Sequence, residues 1–392
     1  MDKPKVSIVR IEDYNSEEIY QAIKQSLQLL GGLDKFVKPK SKIFVKINHI
    51  SPPSPAEKGL VTHPAFTKEV LRLLKERGHE VVVGDDIQSK EEDGFLISDY
   101  RQACEELGVL LINLKEKGFK EVEFQGRLLD KVYLSQACLE ADYIINLPKL
   151  KTHSFTIYTG AVKNMYGIIP YGLRLKYHRQ YIRNDDFSQM LVDVLSCAPP
   201  QLNIMDGIMA MEGEGPSAGN LRKTGLILAS PDAVALDAVA TKIMSLNPLD
   251  IFTTYYAHNR GLGMGRIEGI EVVGETIPDV QVKNFKHSAI AVGLFRRKLP
   301  SFLYAYFQEQ LVLIPRIKKE KCTACLECIE ICPMEALQLH QDTAVLNRRK
   351  CIYCMCCHEV CRYNSIELKK RFIGRIVQVI YNAYHKLSFL FS

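Results

Sequence analysis

The 392-residue chain lacks the marks of several common protein classes. It contains no Walker A sequence, and its run Gly261-Leu262-Gly263-Met264-Gly265 has no strand–turn–helix setting, so ATP and nicotinamide dinucleotides find no motif here. A flavin, which can bind without such a motif, stays open. No secretory segment is visible, because Met1-Asp2-Lys3-Pro4-Lys5 runs directly into the strand-like Val6-Ser7-Ile8-Val9, and a cytoplasmic location is expected. The C-terminal stretch between Arg375 and Lys386 is too short for a transmembrane helix, which needs roughly 20 apolar residues. The formal net charge is +6 with all thiols counted as neutral.

Cysteine, by contrast, is present twelve times. Eight fall in two copies of one pattern: Cys322, Cys325, Cys328 and Cys332 followed by Pro333, then Cys351, Cys354, Cys357 and Cys361. The pattern resembles that of the two-cluster bacterial ferredoxins over residues 315–370. A cubane [4Fe–4S] cluster takes three thiolates from a tight C-x2-C-x2-C run and the fourth from the other motif. One cluster is therefore expected on Cys322, Cys325, Cys328 and Cys361, and a second on Cys351, Cys354, Cys357 and Cys332. A disulfide framework fits poorly with a long chain of the reducing cytoplasm. Structural zinc fits poorly because the runs supply too many close thiolates for tetrahedral sites.

The motifs repeat beyond the cysteines, since Ala336-Leu337-Gln338-Leu339 aligns with Ser365-Ile366-Glu367-Leu368. A pseudo-two-fold module with a strand and short helix from each half follows. Arg362 stands where that family usually has a second proline, which would loosen the turn but leave ligation intact. Cys356, beside Cys357, reads as a spare thiol or an alternative ligand, while Cys104, Cys138 and Cys197 read as small buried hydrophobes. Two oxidised clusters with four thiolates each add about −4, which brings the loaded protein to roughly +2 and leaves nucleic-acid binding without compositional support.

Residues 1–290 alternate strand and helix patterns, predicting an α/β fold with a mostly parallel sheet flanked by helices, beside the small α+β ferredoxin-type domain. Val6–Ile11, Lys42–Ile47, Glu80–Gly84, Val109–Leu114, Asp142–Leu147 and Leu202–Asp206 read as strands. Ser16–Leu30 and Pro64–Arg77 read as helices. Residues 291–314 read as an apolar connector. In 371–392, Phe372, Ile376, Val379, Ile380, Ala383, Leu387 and Leu390 recur at helical spacing, predicting an amphipathic helix that docks on the protein, on a partner or weakly on a membrane surface.

The larger part resembles the domain-of-unknown-function 362 family. The resemblance is carried by Thr62-His63-Pro64, by Leu147-Pro148-Lys149-Leu150-Lys151-Thr152-His153 leading to Ala161-Val162-Lys163-Asn164-Met165-Tyr166-Gly167, by Asp206-Gly207-Ile208 with Glu212-Gly213-Glu214-Gly215-Pro216, and by Asp232 and Asp237. It covers about residues 5–275 and implies no settled reaction.

Asn48, His63, Asp85, Lys149, Lys151, His153, Lys163, Asn164, Asp206 and Glu212 follow strands or open helices, at the sheet edge where ligands of open α/β folds gather. Lys149, Lys151 and His153 alternate along an extended segment and share one face. With Lys163 they form an anion site or simply a solvated edge. Lys151, His153, Lys163 and Glu212 are the candidate catalytic set. Asp206, Glu212 and Glu214 offer ligands for magnesium or an acid–base pair, or else a mobile acidic loop. His63 is a helix start or a site residue; Asp232 is a first-turn residue; His178, among Lys176, Arg179 and Arg183, is expected on the surface.

Two functions follow, with a cluster-based sensor as a weaker third. The first is a redox enzyme whose clusters pass electrons to a small anionic substrate or cofactor in the α/β domain. The second is a non-catalytic electron-transfer or assembly protein that docks a redox partner. The oligomeric state is not legible.

Overall fold

The computed structural model describes residues 3–89, 93–288, 312–372 and 375–376. The expected connector and C-terminal helix therefore lie almost wholly outside the described residues. The larger unit is built on a 10-stranded sheet. Its strands begin with β1 (Lys5–Arg10), β2 (Lys42–Ile47), β3 (Glu80–Asp85) and β4 (Leu110–Asn113). A separate hairpin of β5 (Phe119–Glu123) and β6 (Lys131–Ser135) follows. The sheet then resumes with β7 (Tyr143–Leu147), β8 (Lys149–His153), β9 (Ile157–Thr159), β10 (Leu202–Glu212), β11 (Asn220–Ser230) and β12 (Glu271–Gly274).

The main path runs β12-β1-β11-β10-β7-β2-β3-β4, with β8 beside β10 and β9 beside β8. Neighbours β2–β3, β3–β4, β2–β7, β7–β10 and β1–β12 are parallel. Only β11, antiparallel to both β1 and β10, departs from this on the main path. The mostly parallel sheet read from the sequence is thus present. Strand β10 continues past Asp206, where the apolar pattern breaks, because a register shift between Gly207 and Met209 absorbs the irregularity.

Every residue of β2 after Lys42 is buried, as expected for a strand covered on both faces. Ile43, Val45 and Ile47 pack on one side with Ile19, Ile23 and Phe66. Phe44 packs on the other side with Met165, Val194 and Val234. Period-two alternation thus splits one strand between two cores. The covering helices start where capping chemistry allows. Asn15 accepts the Glu18 N–H at the head of helix Ser16–Leu29, and His63 accepts the Ala65 N–H ahead of Pro64 in helix Pro64–Glu76. Fully burying a side chain such as Phe66 contributes about 1.5–3 kcal/mol.

The smaller unit has β13 (Leu313–Ile317), helix Glu327–Glu330, β14 (Leu337–His340), β15 (Thr343–Leu346), helix Cys356–Val360 and β16 (Ile366–Lys370). Each half supplies two strands and a helix, and the halves exchange strands: β13 pairs with β16, and β14 with β15. The sequence repeat extends to the backbone. Ala324, Leu326 and Glu335 have φ of 54°, 68° and 49°, and the residues 29 positions on, Tyr353, Met355 and Asn364, have 56°, 66° and 49°. Left-handed backbone is unfavourable for such side chains. Its recurrence at matching places shows one turn geometry built twice.

Candidate functional site

Two cavities in the smaller unit are lined by the motif cysteines. Cys322, Cys325 and Cys328 line one together with Cys361 of the second motif. Cys351, Cys354 and Cys357 line the other together with Cys332 of the first. Backbone N–H groups of Ala336, Tyr353 and Ser365 donate to the sulfurs of Cys332, Cys351 and Cys361 at 3.2, 3.4 and 3.3 Å. Turns mixing left- and right-handed residues aim N–H groups inward and make concavities suited to anions, iron–sulfur clusters among them. No three His, Cys, Asp or Glu side chains among the described residues converge on a single-ion site. Four sulfurs spread around a cavity suit a cube-shaped ligand, and the donor set therefore fits [4Fe–4S] clusters.

The third cavity, of about 140 Å³, lies at the seam between the two units. Strand ends of the large sheet form its floor: Lys46 from β2 and Asn48 just past its end, Asp85 from β3, and Lys151 from β8. Lys163, Asn164, Tyr166 and Gly167 form one side, and Tyr171, Arg174 and His178 of helix Tyr171–Gln180 another. The smaller unit closes it with Ile331, Cys356, Glu359 and Val360. Cys356 also lines the cavity of Cys332, Cys351, Cys354 and Cys357, so one side chain forms part of the wall of both.

Charge is distributed unevenly around this cavity. Lys46, fully buried, pairs with Asp85 at 2.8 Å and donates to the Ile47 carbonyl. A Cβ on Gly167 would fall 2.6 Å from both the Lys46 ammonium and an Asp85 oxygen, so only glycine lets this helix turn approach the pair. Arg174 is held by Asp86 at 3.0 Å. Lys151 donates to the Leu60 carbonyl at 2.7 Å but has no carboxylate partner among the described residues. Burial, reinforced by the Lys163 charge, pulls its ammonium down to about 7. Lys163 is lowered by burial against the pull of Glu359, and no described residue accepts a hydrogen bond from it. Burial raises Glu359 itself.

Burial disfavours the charged form of three histidines here. Burial depresses His49 to about 4 and His178 to about 3, and puts His153 well below its ordinary value. His153 Nδ1 accepts the N–H groups of Phe155 and Thr156, which places its proton on Nε2, 3.3 Å from Glu359 Oε1. That approach is a close contact with poor hydrogen-bond alignment, and neither atom has another hydrogen-bond partner among the described residues. His358 Nε2 meets the Glu214 carbonyl at 3.3 Å nearby, giving a second polar link across the seam.

The predicted set thus converges only in part. Lys151 and Lys163 line the cavity, with His153 immediately behind Glu359. Glu212 does not join them: its Oε2 accepts the Lys286 N–H at 3.1 Å and holds that segment to β10. Glu214 takes the Ser288 hydroxyl at 3.0 Å. Lys149 shares the face of Lys151, yet it is spent on a buried pair with Asp206 at 2.7 Å, where Tyr14 and the His63 N–H also bind that carboxylate. An acidic magnesium site around Asp206 and Glu212 therefore has no free carboxylate.

His63 and Asp232 cap helices. His178 is a correction, because it is buried and stacked on Phe187 with centroids 4.4 Å apart. Its flanking Lys176 and Arg179 face outward while the imidazole turns to the core. Arg174 and Glu359 were missed. Helix Tyr171–Gln180 has no clear apolar face to mark Arg174 as inward, and Glu359 sits between cysteines that dominate the motif.

The family comparison decides the larger unit: the model described as "Domain of unknown function (DUF362)" matches residues 43–242. The chain belongs to the DUF362 family. The model for a 4Fe-4S binding domain matches residues 315–338, making this DUF362 member an iron–sulfur protein. A thylakoid-associated protein of Synechocystis sp. is 33% identical over 265 residues, 66% of this chain and 79% of that one.

Two solved structures share less. The lactate racemase apoprotein of Thermoanaerobacterium thermosaccharolyticum has a TM-score of 0.42 at 11% identity, covering 62% of this chain and 57% of its own. A Thermotoga maritima protein has a TM-score of 0.37 at 14% identity, covering 57% of each. This chain therefore spans just over half the length of either.

Proposed function

We propose that the protein is a redox enzyme carrying two [4Fe–4S] clusters, with the seam cavity as the place where a small anionic substrate or cofactor is held. The observation that carries this is Cys356, whose side chain stands between the cavity of Cys332, Cys351, Cys354 and Cys357 and the cation-lined one. That cluster is then the proximal one, and the cluster of Cys322, Cys325, Cys328 and Cys361 the distal one. The clusters supply single electrons at low potential.

The chain's own residues do the rest. Lys163, Lys151 and Arg174 attract and orient the anion. Lys151, with an ammonium near neutrality, holds a proton it can give to a reduced product. The helix Cys356–Val360 covers the cavity and restricts water.

The second reading, a carrier that docks a redox partner, is favoured by Leu326, Leu339 and Tyr363. They are 38%, 47% and 49% exposed and surround the distal cavity. In the enzyme reading the same surface receives electrons from a partner protein. Peripheral contact with a membrane surface is part of the same proposal, supported by the thylakoid association printed for the relative and by exposed Phe372 and Ile376 at the start of the tail. No helix among the described residues is long and apolar enough to cross a membrane.

Iron and sulfide analysis after anaerobic purification tests the cluster count. About eight irons, with a spin-coupled EPR signal after dithionite reduction, is expected. About four would leave no proximal–distal pair and would sink the enzyme reading.

A further inference from the structure

Four asparagines run in a hydrogen-bonded line from the sheet interior to the seam cavity. Asn203 Nδ2 donates to the Ser230 carbonyl at 3.1 Å, and Asn146 Nδ2 donates to the Ala161 carbonyl at 3.0 Å and to Asn203 Oδ1 at 2.8 Å. Asn164 Nδ2 donates to Asn146 Oδ1 at 2.7 Å, and Asn48 Nδ2 to Asn164 Oδ1 at 3.1 Å. The first three are 0%, 0% and 4% exposed, and Asn48 is 8% exposed.

A side-chain amide looks the same after exchange of its oxygen and nitrogen, so each orientation has to come from its partners. Here the partners decide. A backbone carbonyl accepts only, so the amide nitrogens of Asn203 and Asn146 must face Ser230 and Ala161. Asn146 therefore presents its oxygen to Asn164, Asn164 presents its oxygen to Asn48, and Asn48 presents its own Oδ1 at the far end. Flipping any one member would set two oxygens or two NH2 groups against each other within the line; for Asn48 the clash would be its oxygen against Asn164 Oδ1.

Asn48 lines the cavity, and its Oδ1 is buried with no partner among the described residues. A buried acceptor left unmatched is costly, and the line upstream denies it the option of turning its nitrogen outward. Among the described residues, the same cavity carries Lys163 with no acceptor and Arg174 with its Nε unmatched. One region thus asks for negative charge, and one fixed point asks for a hydrogen-bond donor.

We propose that the cavity selects an oxyanion that carries its own O–H or N–H donor, with Asn48 Oδ1 as the residue that reads the donor. This rests on the anion-site reading above and narrows its substrate class. An anion of equal charge and shape without a donor would leave Asn48 buried and unmatched, and would bind at least about tenfold more weakly. The donor has two chemical sources: the anionic group itself, as in hydrogen phosphate, or a neighbouring carbon, as in a hydroxylated carboxylate.

The test is isothermal titration of the cluster-loaded protein, under anaerobic conditions, with two matched pairs. Phosphate against sulfate varies a donor on the anionic group, and glycolate against acetate varies one beside it. A preference of tenfold or more for the donor-bearing member of either pair, collapsing in Asn48→Leu with iron content unchanged, is the expected result and says which source applies. Wild-type binding without preference within both pairs overturns the inference and leaves the anion site standing. So does a preference that survives in Asn48→Leu. Failure of all four anions to bind the wild type overturns the anion site as well. The wild-type comparison does not depend on any variant folding.

Discussion

His153 Nε2 faces Glu359 Oε1 at 3.3 Å across the seam between the DUF362 unit and the cysteine-rich unit. Because two backbone N–H groups occupy Nδ1, the proton of this imidazole is fixed on the side of the carboxylate. Replacing His153 with alanine removes that contact and leaves two backbone donors unmatched, at a cost of about 1–3 kcal/mol. Denaturant unfolding of the loaded protein should show the loss while iron content stays constant. A fall in iron per chain would instead make His153 a support of the cysteine cavities.

Lys149 and Lys151 stand two residues apart on one strand face, but their surroundings differ. The Lys149 ammonium closes a pair with buried Asp206, so Lys149→Met strands a carboxylate and should destabilise by roughly 3–5 kcal/mol. Among the described residues Lys151 has no carboxylate in hydrogen-bond reach, so Lys151→Met loses only the bond to the Leu60 carbonyl and should cost no more than about 1–3 kcal/mol in the same unfolding assay. Equal destabilisation by the two would remove the distinction between a structural and a functional lysine.

The Lys151 ammonium, held at about 7 against an ordinary 10.5, makes anion binding pH-dependent. Groups facing it include Lys163, Lys149, Asp85 and Glu359. Below about 7 the folded lysine is charged and attracts an anion, and affinity should fall as pH rises through 7. Folding stability runs the other way. Between about 7 and 10.5 the unfolded chain holds a proton that the folded chain does not, so stability rises with pH across that window. Glycolate, whose charge and hydroxyl are constant from pH 6 to 9, should show the affinity loss in titrations of the wild type across that range and a flatter profile in Lys151→Met.

The crossed cysteine pattern makes a prediction of its own. Cys332→Ala should remove the EPR signal and iron of the cluster shared with Cys351, Cys354 and Cys357, and Cys361→Ala those of the other. Loss of the same cluster in both variants would contradict the crossed arrangement.

Much of the fold is legible in the sequence. Buried parallel strands announce themselves as short apolar runs, so β2 begins and ends at the residues expected, Lys42 and Ile47. The cysteine spacing implied cross-motif cavities because cluster chemistry leaves few alternatives. The cavity at the seam was only half legible. Lys151, Lys163, Asn48 and Asn164 were named from their place at strand ends. Glu212 was named for the same reason, although a backbone N–H from Lys286, distant in sequence, engages it. Arg174, His178 and Glu359 needed tertiary structure, because which way a helix faces and which helix closes a cavity depend on long-range packing. The asparagine line is invisible in sequence for the same reason: its members are spread from position 48 to 203.

In the proposed enzyme the seam cavity and the proximal cluster act together. The most direct test is a potentiometric EPR titration of both clusters, with and without saturating phosphate, in the wild type and in Lys163→Ala. An anion next to one cluster makes its reduction harder. The proximal cluster's potential should therefore fall on phosphate binding while the distal one holds, and the shift should vanish in Lys163→Ala. No shift in either cluster, or equal shifts in both, would contradict the account.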